Sequence, residues 1–468
     1  MDIPGLPGLP GLNLGAQAIE ALNLPPVPSS RQQDLAANTE YRFEVGFSRS
    51  LTIKLVSGTA EYFGTELAPS QSYTFQGTKG AVFTWQGCRL EISGDPESEY
   101  VAEETQMMGC LNAHFAFENL RDAAVRSEEL GPRVLVVGPE NAGKTSLVKT
   151  LTAYATKMGR QPIVVNLDPK QGMLSVPGSF TAAAFSSILD VQEGWGTSPI
   201  SGPSPIPVKM PLVYHYGLKD PEETKLFKPL VTRMALDVTS RLEYDKASKQ
   251  TGFIIDTPGA ISQGKGGVYE NIEHIISEFS VNVVITIGSE RLYSDLSRKY
   301  SSRAGEEAIR VVRLEKSGGC VDRSDDYMQA LRQAQIKAYF FGHTAEYALA
   351  PHSQAADYDD LNIFRAVDSS TDPNHSDVDA HGIFSNPRSI YEKVTPFPDM
   401  VGKLLAITTA LATDPEERIR DSNVRGYMWV ADVDEVKKRV KVLCPQPGMV
   451  VPNALILGSW PESVAGLV

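Results

Sequence analysis

A complete phosphate-binding loop occupies residues 138–145, which read Gly138-Pro139-Glu140-Asn141-Ala142-Gly143-Lys144-Thr145. The apolar run before it, residues 134–137, suits a buried parallel strand, and Leu147 and Leu151 follow at helical spacing. In that setting backbone N–H groups converge on an anion, and the helix that starts there adds the positive end of its dipole. We therefore predict a nucleoside triphosphate site, in which Lys144 reaches the β- and γ-phosphates and the Thr145 hydroxyl holds Mg²⁺.

The composition is typical of a globular chain with several domains. Its 468 residues exceed one ordinary core, which indicates about two to four domains. The net charge of −13 argues against a broad electrostatic grip on nucleic acid. The four cysteines are far apart and form no Cys-x-x-Cys pair, which disfavours a metal site or a disulfide framework. No apolar run approaches the roughly 18 residues of a membrane helix, so we expect no membrane span.

Four segments differ in their patterning. Residues 1–35 hold Pro-Gly-Leu steps and a Pro-rich end, and we predict a flexible tail. Residues 36–105 alternate short runs with Gly, Pro and Ser, which predicts a β-sandwich. Residues 106–345 alternate buried strands with helices, so we expect an α/β domain with a doubly wound parallel sheet and its ligand beyond the carboxyl ends of the strands. Residues 346–468 predict a small C-terminal α+β domain, with a disordered insertion near 353–380 that is rich in Asp, Ser and Asn.

The apolar periodicity also places individual elements. In the central segment we predict strands at 133–137, 162–167, 211–216, 252–256 and 281–287. In the last segment we predict a helix around 400–412 and strands near 427–433, 439–443 and 454–457.

Two aspartates end predicted strands of the central sheet. Asp168 ends the strand after the phosphate-loop helix, and Asp256 ends a later strand. Because parallel strands end at the same edge of a sheet, both are expected near Thr145 as Mg²⁺ or water-shell partners, and Asp168 is in line to act as a general base. The alternative for each is an aspartate that caps the following segment.

The sequence from Asp256 to Gly259 resembles the Asp-x-x-Gly element of GTPases. A guanine-reading Asn-Lys-x-Asp motif should then follow a later strand, but the strand at 281–287 ends in Gly288-Ser289-Glu290-Arg291. A GTPase is therefore disfavoured.

Further motifs occur in a fixed order around the loop. They are Asn166-Leu167-Asp168, Ser175-Val176-Pro177-Gly178, Pro211-Leu212-Val213-Tyr214-His215, Glu290-Arg291-Leu292-Tyr293 and Lys316-Ser317-Gly318-Gly319. Together with residues 38–45, 60–67 and Lys79, this set resembles the RNA 5′-hydroxyl kinase family that contains the pre-mRNA cleavage and polyadenylation factor subunit. The resemblance covers residues 38–345 well and the last domain loosely.

The resemblance implies how the nucleotide is held and where the protein works. It implies ATP contacts from Glu40, Lys79, Gly138, Asn141, Ala142, Gly143, Lys144, Thr145 and Ser146, with Mg²⁺ near Thr145, Asp168 and Asp256. It implies a nuclear subunit of the 3′-end cleavage factor; with a net charge of −13, contact with RNA is expected to be weak. Its partners are then the other subunits, especially the scaffold subunit that binds the tail of RNA polymerase II.

Active members of that family use parts that this sequence lacks. Their Thr-x-Gly-Trp clasp on RNA reads Thr257-Pro258-Gly259-Ala260 here, which forfeits roughly 1–3 kcal/mol of base stacking. Of their two lid arginines Arg323 is kept, but the second position is Met328, and such an arginine is worth about 10³–10⁵ in rate. Lys170 also replaces the glycine of an Asp-x-Gly-Gln element.

We therefore expect a protein that binds ATP and Mg²⁺ structurally and has lost kinase activity. One alternative is an active RNA 5′-hydroxyl kinase, in which Arg291 or Arg298 replaces the missing arginine. The other is a GTPase or ATPase switch.

Overall fold

The structure is a computed structural model of the chain. It describes residues 30–195, 210–221, 225–264, 266–303, 305, 308–342, 348–367, 389–448 and 452–467. Most of the predicted tail, residues 1–29, lies outside the described residues. The tail prediction is wrong for its last five residues, because Arg31–Leu35 pairs with Cys88–Gly94 and buries Leu35.

The first domain is a β-sandwich, as predicted. Its strands are β1 (Arg31–Leu35), β2 (Thr39–Val45), β3 (Leu51–Gly58), β4 (Glu61–Tyr62), β5 (Thr65–Glu66), β6 (Ser72–Phe75), β7 (Thr78–Thr84), β8 (Cys88–Gly94) and β9 (Ser98–Ala102). They form two sheets in the orders β1-β8-β3-β6 and β5-β4-β7-β2-β9. In β3, Leu51, Ile53 and Leu55 are buried while Thr52 and Lys54 are half-buried. Alternation of this kind lets each sheet cover one side of a shared core.

The central domain is a seven-stranded sheet with helices. Its elements are α1 (Met107–Ser127), β10 (Arg133–Val137), α2 (Lys144–Lys157), β11 (Ile163–Asn166), β12 (Ser179–Ala184), β13 (Leu212–His215), α3 (Phe227–Tyr244), α4 (Lys246–Thr251), β14 (Phe253–Asp256), α5 (Glu270–Glu278), β15 (Val283–Ile287), α6 (Glu290–Tyr300), β16 (Arg310–Leu314) and α7 (Asp325–Phe341). The strand order is β13-β12-β11-β14-β10-β15-β16.

The core of this sheet is parallel, as predicted: β11, β14, β10, β15 and β16 run in one direction. Its edge differs, since β12 is antiparallel to both β11 and β13. No helix connects β11 to β12, and an antiparallel return needs no helical crossover. The strands β12 and β16 were not predicted.

The parallel core brings together the strand ends from which the candidate site is built. Asn166 at the end of β11 pairs with Asp256 at the end of β14. β10 lies between β14 and β15, so the phosphate-binding loop leaves the sheet beside those two ends. A ligand is expected at this edge of an open α/β sheet.

The third domain is a second seven-stranded sheet. Its elements are β17 (His352–Asp357), β18 (Asn362–Ala366), β19 (Tyr391–Val394), β20 (Leu404–Leu411), α8 (Glu416–Arg420), β21 (Val424–Asp434), β22 (Arg439–Cys444) and β23 (Asn453–Leu457). The strand order is β17-β22-β21-β20-β23-β18-β19.

Two predictions in this domain are wrong. The helix expected around 400–412 is the strand β20, which lies between β21 and β23 and is buried from Leu404 to Thr408. A strand covered on both faces reads as a continuous apolar run, which periodicity cannot distinguish from a buried helix. The insertion expected near 353–380 begins with β17 and β18, which bury Ala356 and Ile363. The rest of that segment, from residue 368 onward, lies outside the described residues.

The C-terminal sheet packs directly on the central domain. One apolar cluster joins Phe180 and Tyr216 to Tyr427 and Trp429, and the backbone N–H of Tyr427 donates to the Tyr339 hydroxyl at 3.0 Å. Among the helices of the described segments, none is long and apolar enough to span a membrane.

Candidate functional site

A cavity of about 430 Å³ lies between the β-sandwich and the phosphate-binding loop. From the predicted site it gathers Glu40, Lys79, Asn141, Ala142, Gly143, Lys144, Thr145, Ser146 and Asp168. Gly138 and Asp256 are the two predicted residues outside the lining. The N–H of Gly138 donates to Ser262 Oγ at 3.0 Å, and Asp256 connects to the cavity through Thr145. The structure thus assembles at one place residues that the sequence separates by more than a hundred positions.

The backbone conformation of the loop explains why its last residue before α2, Gly143, is a glycine. Gly143 caps α2 with φ of 90°, in the left-handed region that favours glycine. A Cβ atom there would lie 2.7 Å from the sulfur of Cys320. The first turn of a helix has N–H groups without intrahelical acceptors. The start of α2, which lines the cavity, therefore offers those donors to a phosphate.

Lys144 is a buried cation held within its own loop. The residue is 7% exposed, and Nζ donates to the carbonyl oxygen of Pro139 at 2.8 Å. Burial lowers the pKa of Lys144, while the carboxylates of Asp256 and Asp168 act in the opposite direction. An anionic phosphate in the cavity would compensate this charge better than a neutral carbonyl does. The residues present therefore fit a nucleoside triphosphate.

Two of the three predicted metal residues, Thr145 and Asp256, are in contact beside the loop, and the third, Asp168, lines the same cavity. Thr145 Oγ1 donates to Asp256 Oδ2 at 2.5 Å, and Asp168 Oδ1 accepts from the Lys170 backbone N–H at 2.9 Å. Burial raises the pKa of Asp256 to about 6 and also raises that of Asp168. Within the described ranges there is no group of three or more His, Cys, Asp or Glu arranged for a metal. The two carboxylates suit Mg²⁺, which usually takes few protein ligands and completes its shell with phosphate oxygens and water.

Lys170, which stands where the resemblance expects glycine, lines the cavity. Its Nζ pairs with Glu140 of the loop at 2.7 Å and with Asp220 at 3.6 Å. The side chain therefore ties the end of β11 to the phosphate-binding loop.

The structure places the two lid positions and the clasp position differently relative to the cavity. Arg323 lines the cavity, where Nε donates to Asn141 Oδ1 at 2.9 Å and Nη1 donates to Gln171 Oε1 at 2.9 Å. Met328 also lines it. Ala260 lies in a short 3₁₀ turn and is not among the described lining residues.

The two arginines that the sequence offers as replacements lie away from the cavity lining. Arg291 and Arg298 on α6 are not among the described residues that line the cavity, whereas Arg332 on α7 is. Arg332 lies one turn after Met328, so helical spacing within α7 was the available signal. Its guanidinium forms a two-pronged ion pair with Glu462, with Nη2–Oε1 at 2.5 Å and Nε–Oε2 at 2.9 Å.

Glu40 and Lys79 of the sandwich line the cavity, and each forms an ion pair with another sandwich residue. Glu40 is buried and pairs with Arg42, whose Nε lies 2.8 Å from Oε1, and burial raises the pKa of Glu40. Lys79 pairs with Glu44, and its Nζ lies 5.2 Å from the ring centre of Tyr327 on α7. Both residues therefore sit where the sandwich faces the central domain.

Trp460 was missed by sequence reasoning altogether. It follows β23, yet it lines the cavity and donates from Nε1 to the Pro169 carbonyl at 2.9 Å. The Arg332 guanidinium lies 4.4 Å from its ring centre. Nothing in the local sequence distinguishes this ring from an ordinary core residue.

Comparison with known proteins gives consistent results across the chain. Residues 138–342 match the model for the mRNA cleavage and polyadenylation factor CLP1 P-loop. Residues 34–124 match that for the N-terminal β-sandwich domain of polyadenylation factor. Residues 349–462 match that for pre-mRNA cleavage complex II protein Clp1.

Similar proteins extend over the full length. The mRNA cleavage and polyadenylation factor CLP1 of Phaeosphaeria nodorum is 66% identical, with 100% of both chains covered. That of Botryotinia fuckeliana is 52% identical over 100% of both chains.

Two solved structures share the fold. One is a Clp1p–Pcf11p complex, 29% identical with a TM-score of 0.81, covering 93% of this chain and 99% of the other. The second describes an extended interface between Pcf11p and Clp1p and ATP loss in a glycine-to-arginine mutant; it has the same identity and TM-score and covers 92% and 99%. The chain belongs to the Clp1 family of mRNA cleavage and polyadenylation factors.

Proposed function

We propose that this chain is an ATP-binding scaffold subunit of the nuclear pre-mRNA 3′-end cleavage factor, required for endonucleolytic cleavage before polyadenylation. ATP and Mg²⁺ are structural ligands in this role. The observation that carries the proposal is the cavity in which the buried Lys144 of the phosphate-binding loop meets Glu40 and Lys79 of the sandwich.

The phosphate end of the nucleotide and its Mg²⁺ have residues suited to them. Lys144 and the first N–H groups of α2 suit the phosphates, and Thr145 with Asp168 and Asp256 suits Mg²⁺. The sandwich wall supplies Glu40 and Lys79. Because two domains line the cavity, a ligand bound there stabilises their docked arrangement by mass action.

The same cavity is poorly equipped for phosphoryl transfer. Catalysis of this reaction depends on positioned positive charge at the transferring group. Met328 offers none, and Arg323 and Arg332 are engaged with Asn141, Gln171 and Glu462. A bound ATP would therefore be held without being consumed.

A second function is favoured by one observation. Asp168 lines the same cavity as Lys144, and burial raises its pKa, as suits a general base. This supports the alternative of an active polyribonucleotide 5′-hydroxyl kinase, which transfers the γ-phosphoryl of ATP to RNA 5′ ends.

The partners follow from the relatives. A similar protein of known structure is bound to Pcf11p, and we infer that this chain docks other cleavage-factor subunits, including the scaffold subunit that contacts the RNA polymerase II tail. RNA contact is expected to be weak because the chain carries a net charge of −13. Co-purification of tagged chain with the cleavage-factor subunits tests this.

The function itself is tested by phosphoryl transfer from γ-labelled ATP to 5′-hydroxyl RNA oligonucleotides. The wild-type chain should transfer no more label than Lys144→Ala, whose phosphate contact is removed. Robust transfer that Lys144→Ala abolishes would establish the kinase alternative and overturn the scaffold proposal.

A further inference from the structure

One buried arginine connects the sandwich to the rim of the cavity. Arg42 on β2 is 7% exposed and pairs with Glu40. Its Nη2 also donates to the backbone oxygen of Glu104 at 2.7 Å and to Ser317 Oγ at 3.3 Å. Ser317 follows β16 of the central domain, so this guanidinium spans the boundary between two domains.

The loop that Arg42 contacts is shaped to receive it. A Cβ atom on Gly319 would lie 2.7 Å from Arg42 Nε and 3.0 Å from its Cδ, and one on Gly318 would lie 2.8 Å from Glu104 Oε2. The guanidinium therefore lies directly against the loop backbone, an approach that side chains at these positions would prevent. Residues 317–320, which we call the rim loop, also form a tight turn, with the Cys320 N–H donating to Ser317 O at 3.0 Å.

The opposite side of the rim loop touches the phosphate-binding loop. The Cys320 sulfur lies against Gly143, and Ser317, Gly319 and Cys320 line the cavity. The rim loop thus lies between Arg42 and Gly143 of the phosphate-binding loop.

We propose that Arg42 is a positioning residue that slows release of the bound nucleotide, a role that we call the latch. It fixes the Glu40 carboxylate in the cavity wall and keeps the rim loop against the sandwich. In this proposal the nucleotide leaves when the contacts of Arg42 with Ser317 and Glu104 break. This inference rests on the proposed function, because it concerns release of the ATP that the chain retains.

The sandwich has a separate anchor on the central domain, which makes the latch testable. On α2, the Tyr154 hydroxyl bonds to Glu61 and Lys157 pairs with Glu66. Tyr154 and Glu61 are both buried. Loss of Arg42 should therefore loosen the rim of the cavity while the domains stay joined.

The test is the rate at which a fluorescent ATP analogue with Mg²⁺ leaves the full-length chain when excess ATP is added. Arg42→Ala should release the probe about tenfold faster or more, the effect of losing charge-assisted hydrogen bonds. Arg42→Lys, which restores the charge without the planar fork, should be intermediate. The matched control is Arg89→Ala, which removes an exposed Arg–Asp34 pair from the same sandwich and should leave release unchanged.

A second variant covers the case in which Arg42→Ala does not fold. Gly319→Ala keeps the guanidinium but places a methyl group 2.7 Å from Arg42 Nε, which pushes the rim loop and the guanidinium apart, so it should also speed release. When Gly319→Ala is added to Arg42→Ala, release should not become faster still, because the Arg42 side chain that the new methyl group would displace is already absent. Unchanged release in Arg42→Ala and Gly319→Ala, with the probe bound, would overturn the latch alone. Failure of the wild-type chain to bind the probe would overturn the proposed function and the latch with it.

Discussion

Asp256 combines full burial with a position beside the phosphate-binding loop, and its replacement by asparagine should stabilise the nucleotide-free protein. The residue is 1% exposed, and burial raises its pKa from 3.8 to about 6. Each pKa unit corresponds to about 1.4 kcal/mol, and the shift is about two units. At a pH where the carboxyl is ionised in the folded protein, its burial therefore lowers the free energy of unfolding by about 3 kcal/mol. Asp256→Asn removes that penalty and keeps one oxygen that can accept from Thr145, but its NH₂ group replaces the oxygen that accepts from the Thr257 backbone N–H at 3.0 Å.

The pH dependence has a definite sign. The folded state keeps the Asp256 proton up to about pH 6, whereas the unfolded chain releases it near pH 4. Stability from this group is therefore greatest below about pH 4, falls as the pH rises to about 6, and stays low above that. The advantage of Asp256→Asn should be at most about 3 kcal/mol at neutral pH, because the bond from Thr257 is lost, and it should fall by about 1.5 kcal/mol between neutral pH and about pH 5.

The assay is urea unfolding of both proteins after nucleotide has been removed by dialysis against a chelator. Asp34→Asn is the control, because the exposed Asp34 carboxyl pairs with Arg89 and has a lowered pKa; this change should bring no stabilisation. Saturating Mg²⁺ and ATP should then stabilise the wild-type protein more than Asp256→Asn, which has lost a metal partner. Equal stability of the two nucleotide-free proteins at neutral pH, or a difference that does not shrink toward pH 5, would refute the reasoning.

Three further changes have defined outcomes. Tyr154→Phe removes the hydroxyl that bonds the buried Glu61 carboxyl and should lower the free energy of unfolding by about 1–3 kcal/mol in urea titrations; no change would show that this bond does not anchor the sandwich. Trp460→Phe removes the indole N–H that bonds Pro169 and should weaken ATP affinity by less than about tenfold in calorimetry, while unaltered affinity would separate the C-terminal segment from the site. Met328→Arg places a cation in the cavity and should raise phosphoryl transfer above the wild-type level by up to about 10³–10⁵; a rate equal to wild type would mean that more than this charge is missing.

The sequence predicts the fold best where the residues that determine an element are contiguous in the chain. The apolar residues before the phosphate-binding loop, the loop and its helix are contiguous, so strand, turn and helix were predictable together. The alternation in β3 likewise reports a half-buried strand. By contrast β20 is covered on both faces, and its apolar run gave a wrong helix.

The parts of the site that come from distant segments were not predictable from local patterns. In the sequence, Arg42 is one polar residue in the alternating pattern of β2, whereas the role that we propose for it depends on its bond to Ser317, 275 positions away. Trp460 reaches Pro169 across 291 positions. Glu40 and Lys79 entered only through the family resemblance, because a charged residue on a strand carries no sign of the domain that it faces.

The central claim is that the chain retains ATP between the sandwich and the phosphate-binding loop without consuming it. The most direct measurement is chromatography of the nucleotide released when the purified, washed protein is denatured. Near-stoichiometric, unhydrolysed ATP in the wild-type chain, and none in Lys144→Ala, is the predicted result. Recovery of ADP in place of ATP, or of no nucleotide from the wild-type chain, would contradict the claim.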